Sequence, residues 1–359
     1  MPPARERARL IDALERAPAS ATIEVNGAAV PLTHLDRVYW PVHPPLATTP
    51  VTKRTFLRYL VTAAPVMLPH LVDRPLTLFR WPEGVAGRRV LMKHWEIALP
   101  PFVDRVDVFS ESKRRPDQYI LCNNLATLLW LGHMGTLEFH AWHSRVRGGG
   151  DAPDASTDFA SSLRSLQASV LERPDYLLFD IDPFFYTGRE ARAKQPEFSD
   201  VAFDRSCTVA LWLRNVLDGM RLVSFVKTSG KTGLHVVVPL RRTLRYDVVR
   251  EVARFVASHL AREHRDAVTV DWSVERRTGK VFIDYNMNVR AKSMTTPYSP
   301  RGLPGAPVSM PLAWRALRGA DVYDFTVESL LARRGAWRDP WATLASCAQS
   351  LEDRIGATG

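Results

Sequence analysis

Two aspartates, Asp180 and Asp182, stand at the end of an apolar run that reads LLFDIDP over residues 177–183. Side chains alternate between the two faces of a strand, so both carboxylates point the same way, while the apolar residues around them point to the opposite face. Adjacent carboxylates repel each other, and hard divalent cations prefer oxygen ligands. The pattern therefore indicates a cation site. A solvated strand end that stops at a proline is the alternative interpretation.

A third aspartate lies in a second strand-like stretch, which reads KVFIDYNMN over Lys280–Asn288. The period of a strand places Asp284 on one face together with Phe282 and Asn286. A carboxylate on such an apolar strand is costly to bury unless it is paired or bound to a metal. Asp284 is therefore a candidate partner of the first two aspartates, provided that the fold brings the two strands together.

The elements predicted between the two aspartate strands bring them together. They are, in order, a helix over 201–218, a strand over 222–228, the turn SGKTG over 229–233, a strand over 234–240 and a helix over 246–264. With the flanking strands this gives the order β-α-β-β-α-β, a split βαβ or ferredoxin-like unit. The first and last strands of that unit are neighbours, which places the three aspartates together on the sheet face that the helices leave open. Such a group matches the two-metal site of in-line phosphoryl transfer.

Composition and charge limit the class of protein. The chain has 359 residues, 46% of them hydrophobic and 24% charged, as in a soluble globular protein. No apolar run approaches the ~20 residues of a membrane span, and the first residues are too charged for a signal peptide. The three cysteines are far apart and follow no metal spacing, which favours the reducing cytoplasm. A net charge of +10 suits a polyanionic partner such as nucleic acid.

The first half of the chain is predicted to be a mixed α/β unit. Its elements are a hairpin around Asn26-Gly27, a helix with Thr52 as N-cap, strands over 76–81, 90–95 and 137–143, and a helix over 123–134. Glycines 148–150 and the polar residues after them indicate a linker. We therefore predict an N-terminal extension over 1–28, a catalytic domain over 29–330 made of units 29–158 and 159–300, and a helical tail over 331–359.

Seven motifs, taken in order, carry a resemblance. They are LTHLDRVYWP, RPLTLFRWPEG, LEFHAWHSR, RPDYLLFDIDP, VKTSGKTGLHVVVPL, GKVFIDYNMN and AKSMTTPYSPRGLPGAPVS. Together they resemble the polymerase domain of bacterial ligase D, a member of the archaeo-eukaryotic primase superfamily that works in non-homologous end joining. The resemblance covers about residues 30–330. Because no ligase or phosphoesterase motif is found, the chain resembles a stand-alone version of this domain. It implies an α+β fold in which a mixed α/β unit packs on a split βαβ catalytic unit.

The resemblance also implies roles for individual residues. Asp180, Asp182 and Asp284 would be the catalytic metal ligands, with Mn²⁺ or Mg²⁺ as the two cations. The residues implied to bind the nucleotide are Arg80, His140, Ser229, Lys231, Gly233, His235 and Lys292. Those implied to bind DNA are Arg37, Lys53, Arg277 and Arg301, the first two at a 5′-phosphate. Read without the family, the turn is a tight hairpin, His140 is a satisfied sheet histidine, and the basic residues are solvated surface charges.

Two motifs depart from the family pattern, and one of them is the turn, which reads SGKTG where some members have the lysine one residue later. Where the family often has two aromatic residues before a lysine, this chain has Val90-Leu91-Met92 before Lys93. Those aromatics stack on template bases, and stacking contributes ~1–3 kcal/mol per base. Trp81 and Trp95 are the candidate substitutes.

The function predicted from these observations is a template-dependent nucleotidyltransferase that extends primer 3′ ends at DNA gaps or breaks. The resemblance implies a preference for ribonucleotides and manganese, with Ku and a separate DNA ligase as partners and a cytoplasmic, nucleoid-associated location. One alternative is a primase that starts strands de novo. Others are a non-catalytic DNA-end-binding protein and a metal-dependent nuclease. The intact aspartate set argues against the end-binding protein, and a phosphate-binding turn argues against the nuclease.

Overall fold

The structure is a computed structural model that describes residues 3–44, 49–95, 98–152, 154–184, 199–321, 324–333 and 337–355. The helices in these ranges are α1 Ala4–Arg16, α2 Lys53–Met67, α3 Leu125–His133, α4 Leu163–Gln167, α5 Asp200–Gly219, α6 Tyr246–Glu263, α7 Val327–Leu331 and α8 Glu352–Ile355. Among these described helices, none is both long enough and apolar enough to cross a membrane.

The strands of the described ranges form two larger sheets and three two-stranded ribbons. They are β1 Ala21–Val25, β2 Ala28–Leu32, β3 Val38–Trp40, β4 Val51–Thr52, β5 Leu76–Arg80, β6 Val90–Met92, β7 Asp104–Ser110, β8 Arg115–Leu121, β9 Thr136–Trp142, β10 Tyr176–Phe184, β11 Phe225–Thr228, β12 Leu234–Pro239, β13 Val268–Thr269, β14 Lys280–Asp284, β15 Ser293–Thr295 and β16 Pro311–Leu312.

The larger sheet has the predicted β-α-β-β-α-β order. Its strands lie in the order β13-β14-β10-β12-β11-β16, and the first and last strands of the unit, β10 and β14, are antiparallel neighbours. Helices α5 and α6 both contact β10. The alternation of β10 explains this arrangement, because Leu177, Phe179 and Ile181 are fully buried in the main core with the apolar residues of the two helices. The aspartates of β10 therefore face away from the helices.

The last strand of this unit ends earlier than its sequence predicts. The strand expected to reach Asn288 stops at Asp284, and residues 285–287 form a 3₁₀ turn. The Asp284 carboxylate accepts a hydrogen bond from the Asn286 amide at 2.8 Å, and such side-chain bonds to the backbone compete with strand pairing. Asn288 is buried beyond the turn, where its side chain bonds both the N–H and the C=O of Leu178. The placement of Asn286 on the strand face was therefore wrong.

The second sheet joins the two halves of the chain. Its order is β15-β9-β5-β6, and β15 follows β14 in sequence but pairs with β9 of the first half. Helix α1 is also tied to the main core, because Leu10 and Leu14 are buried and Arg54 of α2 donates to the Ala17 carbonyl at 2.7 Å. The predicted boundaries between extension, units and tail stay a prediction.

The C-terminal segment covers one end of the open sheet face. Trp341 is buried there against Tyr176 and Leu178, and its indole N–H donates to the Val226 carbonyl at 3.0 Å. A cavity of about 470 Å³ lies between this segment and Tyr176, and Asp180, Asp182 and Asp284 do not line it. Further along the same face, Asp180 and Asp182 remain partly exposed. The open face is therefore accessible at the end of β10 that carries the carboxylates.

Candidate active site

The three candidate carboxylates lie side by side on two paired strands. Asp180 of β10 is the direct antiparallel partner of Asp284 of β14, and Asp182 is opposite Phe282. Directly opposite residues of an antiparallel pair have Cβ atoms about 4.5–5.5 Å apart. The structure therefore gives the register that the sequence left open, and the predicted neighbourhood of the three aspartates is confirmed.

Burial and mutual repulsion act on these carboxylates. Burial raises the pKa of Asp180 to about 6. Burial, followed by the charge of Asp180, raises the pKa of Asp284 to about 6. Burial, followed by the charges of Asp180 and Asp284, raises the pKa of Asp182 well above its ordinary value. Neighbouring carboxylates whose ionisation is disfavoured by burial, and for Asp182 and Asp284 also by the nearby negative charges, are the electrostatic counterpart of a cation site.

The residues present fit divalent cations by their chemistry. All three groups supply oxygen ligands, which suit Mg²⁺ and Mn²⁺. Among the described residues, however, no group of three or more His, Cys, Asp or Glu side chains is arranged so that it could hold a metal ion. The Asp284 carboxylate accepts a hydrogen bond from the Asn286 amide at 2.8 Å. A cation held here would therefore have to draw the three carboxylates closer together.

Thermal melting should reveal the repulsion directly. A carboxyl whose folded pKa is raised binds its proton more tightly in the folded state, so its contribution to stability is lost as pH rises from about 4 to about 6. We expect Mn²⁺ to raise the melting temperature by several degrees at pH 7.5 and by much less at pH 5. We expect Asp182→Asn to melt higher than the wild type without metal and to lose the Mn²⁺ response. Equal Mn²⁺ responses at both pH values would contradict the site.

A row of ionisable side chains crosses the sheet through Asp180. Lys227 of β11 is the partner of His235 of β12, and His235 is the partner of Asp180. The His235 Nε2 lies 3.3 Å from an Asp180 oxygen, whereas its Nδ1 has no hydrogen-bond partner in the described part of the chain. Burial, then the charges of Lys227 and Arg301, lower the pKa of His235 well below its ordinary value. His235 is therefore a neutral neighbour of the carboxylates.

Lys227 was missed by the sequence analysis. It is fully buried, its ammonium group bonds the Ser309 hydroxyl, and burial lowers its pKa well below the ordinary value. The available signal was its position two residues before Ser229, because side chains two residues apart along a strand share a face.

The glycine turn presses against the aspartate strand. Gly230 has a φ of 76°, a left-handed conformation that favours glycine. A Cβ on Gly233 would come within 2.5 Å of the Ile181 carbonyl oxygen and 3.2 Å of an Asp182 oxygen. The Ser229 hydroxyl accepts a hydrogen bond from the Lys231 amide at 3.2 Å. The positive charge of the Lys231 side chain partly offsets the rise in the pKa of Asp182. The turn therefore brings donors and one cation to the edge of the carboxylate group.

Glu138 connects the two sheets at this site. Its carboxylate lies 3.0 Å from His140 Nε2 and 3.3 Å from Arg301 Nε, and it accepts from the Gly302 amide at 2.9 Å. Arg301 also donates to the Ser229 carbonyl at 2.7 Å. Although burial would raise the pKa of Glu138, Arg301 and His140 hold it well below the ordinary value. This buried anion, which the sequence analysis did not select, fixes His140 and Arg301 beside the turn.

The remaining candidates for the nucleotide fall in different places. Lys292 is exposed and its charge lowers the pKa of Asp284, so it lies near the carboxylates. Arg80 is buried in the second sheet, where its guanidinium donates to the Met134 carbonyl and stacks over Trp95 at 5.0 Å. Burial raises the pKa of Tyr39, and the positive charges of Arg37 and Arg80 partly offset that rise. The structure therefore does not bring Arg80 to the aspartates.

Arg37 and Lys53 form a second basic cluster with Tyr39. Lys53 Nζ lies 5.6 Å from the centre of the Tyr39 ring, donates to the Thr33 carbonyl at 2.9 Å and approaches His133 Nδ1 at 3.4 Å. Burial, and then the charge of Arg37, lower the pKa of Lys53 to about 8. Lys53 is the first residue of α2, where backbone amides also favour an anion.

The tryptophans proposed as substitutes for the family aromatics are not available for stacking. Trp81 is 6% exposed and packs on Gly302, and Trp95 is 4% exposed and packs on Trp130. Leu91, in the family's aromatic position, is half exposed. The expectation for Trp81 and Trp95 was therefore wrong, because both indoles fill the core.

Arg277 lies at the far edge of the carboxylate group. Only 7% of its surface is exposed. Its positive charge partly offsets the rise in the pKa of both Asp182 and Asp284. Its guanidinium rests on the Phe282 ring at 3.6 Å. The predicted DNA contact of Arg277, like that of Arg301, stays a prediction.

Comparison with known proteins gives consistent matches. Residues 52–341 match the family described as LigD, primase-polymerase domain. The chain is 27% identical over 315 residues to the multifunctional non-homologous end joining protein LigD of Mycolicibacterium smegmatis, covering 88% of this chain and 36% of that protein. It is 28% identical over 291 residues to the LigD protein of Pseudomonas aeruginosa, covering 80% and 30%. The chain thus spans about a third of the length of these curated relatives.

A solved structure agrees with the sequence matches. The polymerase domain from Mycobacterium tuberculosis ligase D in complex with DNA superposes with a TM-score of 0.69 at 27% identity, covering 89% of this chain and 98% of that one. The matches confirm the resemblance that the motifs predicted and the mixed α/β primase-like fold.

Proposed function

Because the chain belongs to the LigD primase-polymerase family, we propose that it is a metal-dependent nucleotidyltransferase that extends primer 3′ ends at DNA gaps or breaks. One observation carries the proposal: three partly exposed carboxylates on an open sheet face adjoin a glycine turn with a lysine. The carboxylates suit cations, and the turn suits the phosphates of an incoming nucleotide. A non-catalytic protein has no need to place three repelling carboxylates side by side.

In this proposal Asp180, Asp182 and Asp284 hold two divalent cations. When bound there, the cations lower the pKa of the primer 3′-hydroxyl and neutralise charge on the triphosphate. Mg²⁺ and Mn²⁺ suit these oxygen ligands about equally, and the family resemblance favours manganese.

The chain's own residues bind and orient the nucleotide. The Ser229 hydroxyl and the Lys231 ammonium lie on the turn that adjoins Asp182, where they can bind phosphate oxygens. His140 and Arg301, fixed by Glu138, border the same turn. Fixed donors act on the substrate without reorganising, which is the main electrostatic contribution to such transfers.

DNA is the proposed polymeric substrate, in keeping with the net charge of +10. We assign the cluster of Arg37 and Lys53 to the 5′-phosphate at the far side of a gap. Ribonucleotides as preferred substrates, and Ku and a separate DNA ligase as partners, are parts of the same proposal.

Gapped duplexes that differ only in the 5′-phosphate test the basic cluster. We expect Lys53→Met, which keeps the buried aliphatic stem, to weaken binding of a 5′-phosphorylated gap by about tenfold, the loss of one charge-assisted hydrogen bond. Binding of a 5′-hydroxyl gap should change less than about twofold. Fluorescence anisotropy measures both, with Lys113→Met as a control because this lysine pairs with Asp117 on the β7–β8 ribbon. Equal losses on both gaps would remove the end-recognition role.

Primer extension tests the proposed function itself. The assay compares a gapped, 5′-phosphorylated duplex with an unprimed template, using ribonucleotides or deoxyribonucleotides and Mn²⁺ or Mg²⁺. Extension of the gapped primer supports the proposal and reports the sugar and metal preference. Products from the unprimed template alone would favour a primase. Tight DNA binding without incorporation would favour an end-binding protein, and shortened primers would favour a nuclease.

A further inference from the structure

Trp272 is an exposed aromatic residue at the rim of the carboxylate site. It follows edge strand β13, and 55% of its surface is exposed. A single exposed apolar side chain needs no explanation by itself. Two further observations indicate a ligand contact: Arg277 fixes the loop that carries Trp272, and the Trp272 ring lies close to Asp182.

Arg277 holds the Trp272 loop in place from below. Its guanidinium donates to the Asp271 carbonyl at 2.7 Å and to the Trp272 carbonyl at 2.8 Å. The same group lies 5.3 Å from the centre of the Trp272 ring and 3.6 Å from that of Phe282. The loop backbone is therefore tied at two successive carbonyls. An aromatic side chain held in this way loses little conformational entropy when a flat ligand stacks on it.

The register places this ring next to the carboxylates. Phe282 is the antiparallel partner of Asp182 and shares its face, and the Trp272 ring meets the Phe282 ring edge-on at 5.7 Å. Only the Phe282 side chain therefore separates Trp272 from Asp182 across the sheet. A nucleic acid strand whose end reaches Asp182 can therefore approach it across this ring.

We propose that Trp272 is a stacking platform for one nucleobase of the strand held at the carboxylates. The inference rests on the proposed function, because it takes the strand end to lie at Asp182. Every nucleobase has a π-face, so stacking of this kind tolerates all sequences.

Binding of a gapped primer–template without nucleotide tests the platform. We expect Trp272→Ala and Trp272→Leu to weaken binding about 5- to 150-fold, which corresponds to ~1–3 kcal/mol for one stacked base. Trp272→Phe should stay within about threefold of the wild type. Phe255→Ala is the matched control, because Phe255 is 63% exposed on α6, a helix of the opposite sheet face. Melting temperatures show that the variants are folded, and Trp272→Leu keeps an apolar contact with Phe282.

The fluorescent base 2-aminopurine identifies the stacked strand. It is placed either at the primer 3′ end or at the first unpaired template position, and quenching that is lost in Trp272→Leu marks the contact. Wild-type affinity of Trp272→Leu, or no Trp272-dependent quenching at either position, would overturn the platform. If the wild type adds nucleotides while Trp272→Leu binds normally, the platform alone fails. If the wild type adds none but binding depends on Trp272, the proposed function fails and the platform stands.

Discussion

Asp182→Asn should reduce nucleotide addition by roughly a thousandfold or more. Asp182 lies between the strand that carries Asp284 and the turn that carries Lys231, and its pKa is raised well above normal by burial and by the two other carboxylates. Asparagine keeps the shape but removes the charge that holds a cation, and ~4 kcal/mol of lost transition-state stabilisation is a thousandfold in rate. Single-nucleotide insertion into a gapped primer measures the effect.

The control for this variant separates chemistry from folding. DNA binding without nucleotide should remain within about twofold of the wild type, because removing a negative charge does not weaken contacts to phosphate. Asp218→Asn, a solvent-exposed substitution on α5, should leave both insertion and binding unchanged. Insertion by Asp182→Asn near the wild-type rate would show that the two-metal assignment is wrong.

Gly233→Ala should lower kcat/KM for the nucleotide by about a hundredfold. A Cβ at this position would lie 2.5 Å from the Ile181 carbonyl oxygen, closer than real side chains approach, so the turn must move away from β10. That movement carries Ser229 and Lys231 away from Asp182, and a misplacement of about 1 Å costs about a hundredfold in such sites. The same crowding should destabilise the fold by about 1–3 kcal/mol.

A second glycine variant provides the comparison. Gly219, the last residue of α5, has no atom within 4 Å of an added Cβ, so Gly219→Ala should retain full insertion and stability. Insertion kinetics at saturating primer, together with denaturant unfolding, distinguish a displaced turn from general instability. A Gly233→Ala protein with wild-type kcat/KM would mean that the turn does not place the nucleotide.

The sequence predicted the elements that carry the carboxylates. The strand period of two placed Asp180 and Asp182 on one face, and the β-α-β-β-α-β order made β10 and β14 neighbours. Both rules are local or topological, so they hold without knowledge of packing. The ordered motifs added the family, which the matches over most of the chain confirm.

Contacts between distant segments were beyond these rules. Glu138 and Arg301 meet because β9 and the segment after β15 pack together, and the two residues are far apart in sequence. Lys227 enters the row of ionisable groups through the register of three strands. Arg80 reads as a candidate for the nucleotide in its motif, and the fold buries it against Met134 and Trp95.

By itself the sequence determined which residues share a face and which strands are neighbours. Side-chain periodicity and the order of the elements can both be read from short segments of the chain. Only the tertiary structure decided the register, the end of β14 at Asp284 and the partners of each buried charge. Those features depend on how side chains from distant segments fill one space and satisfy one another's charges. The position of Trp272 beside Asp182 is a feature of that second kind.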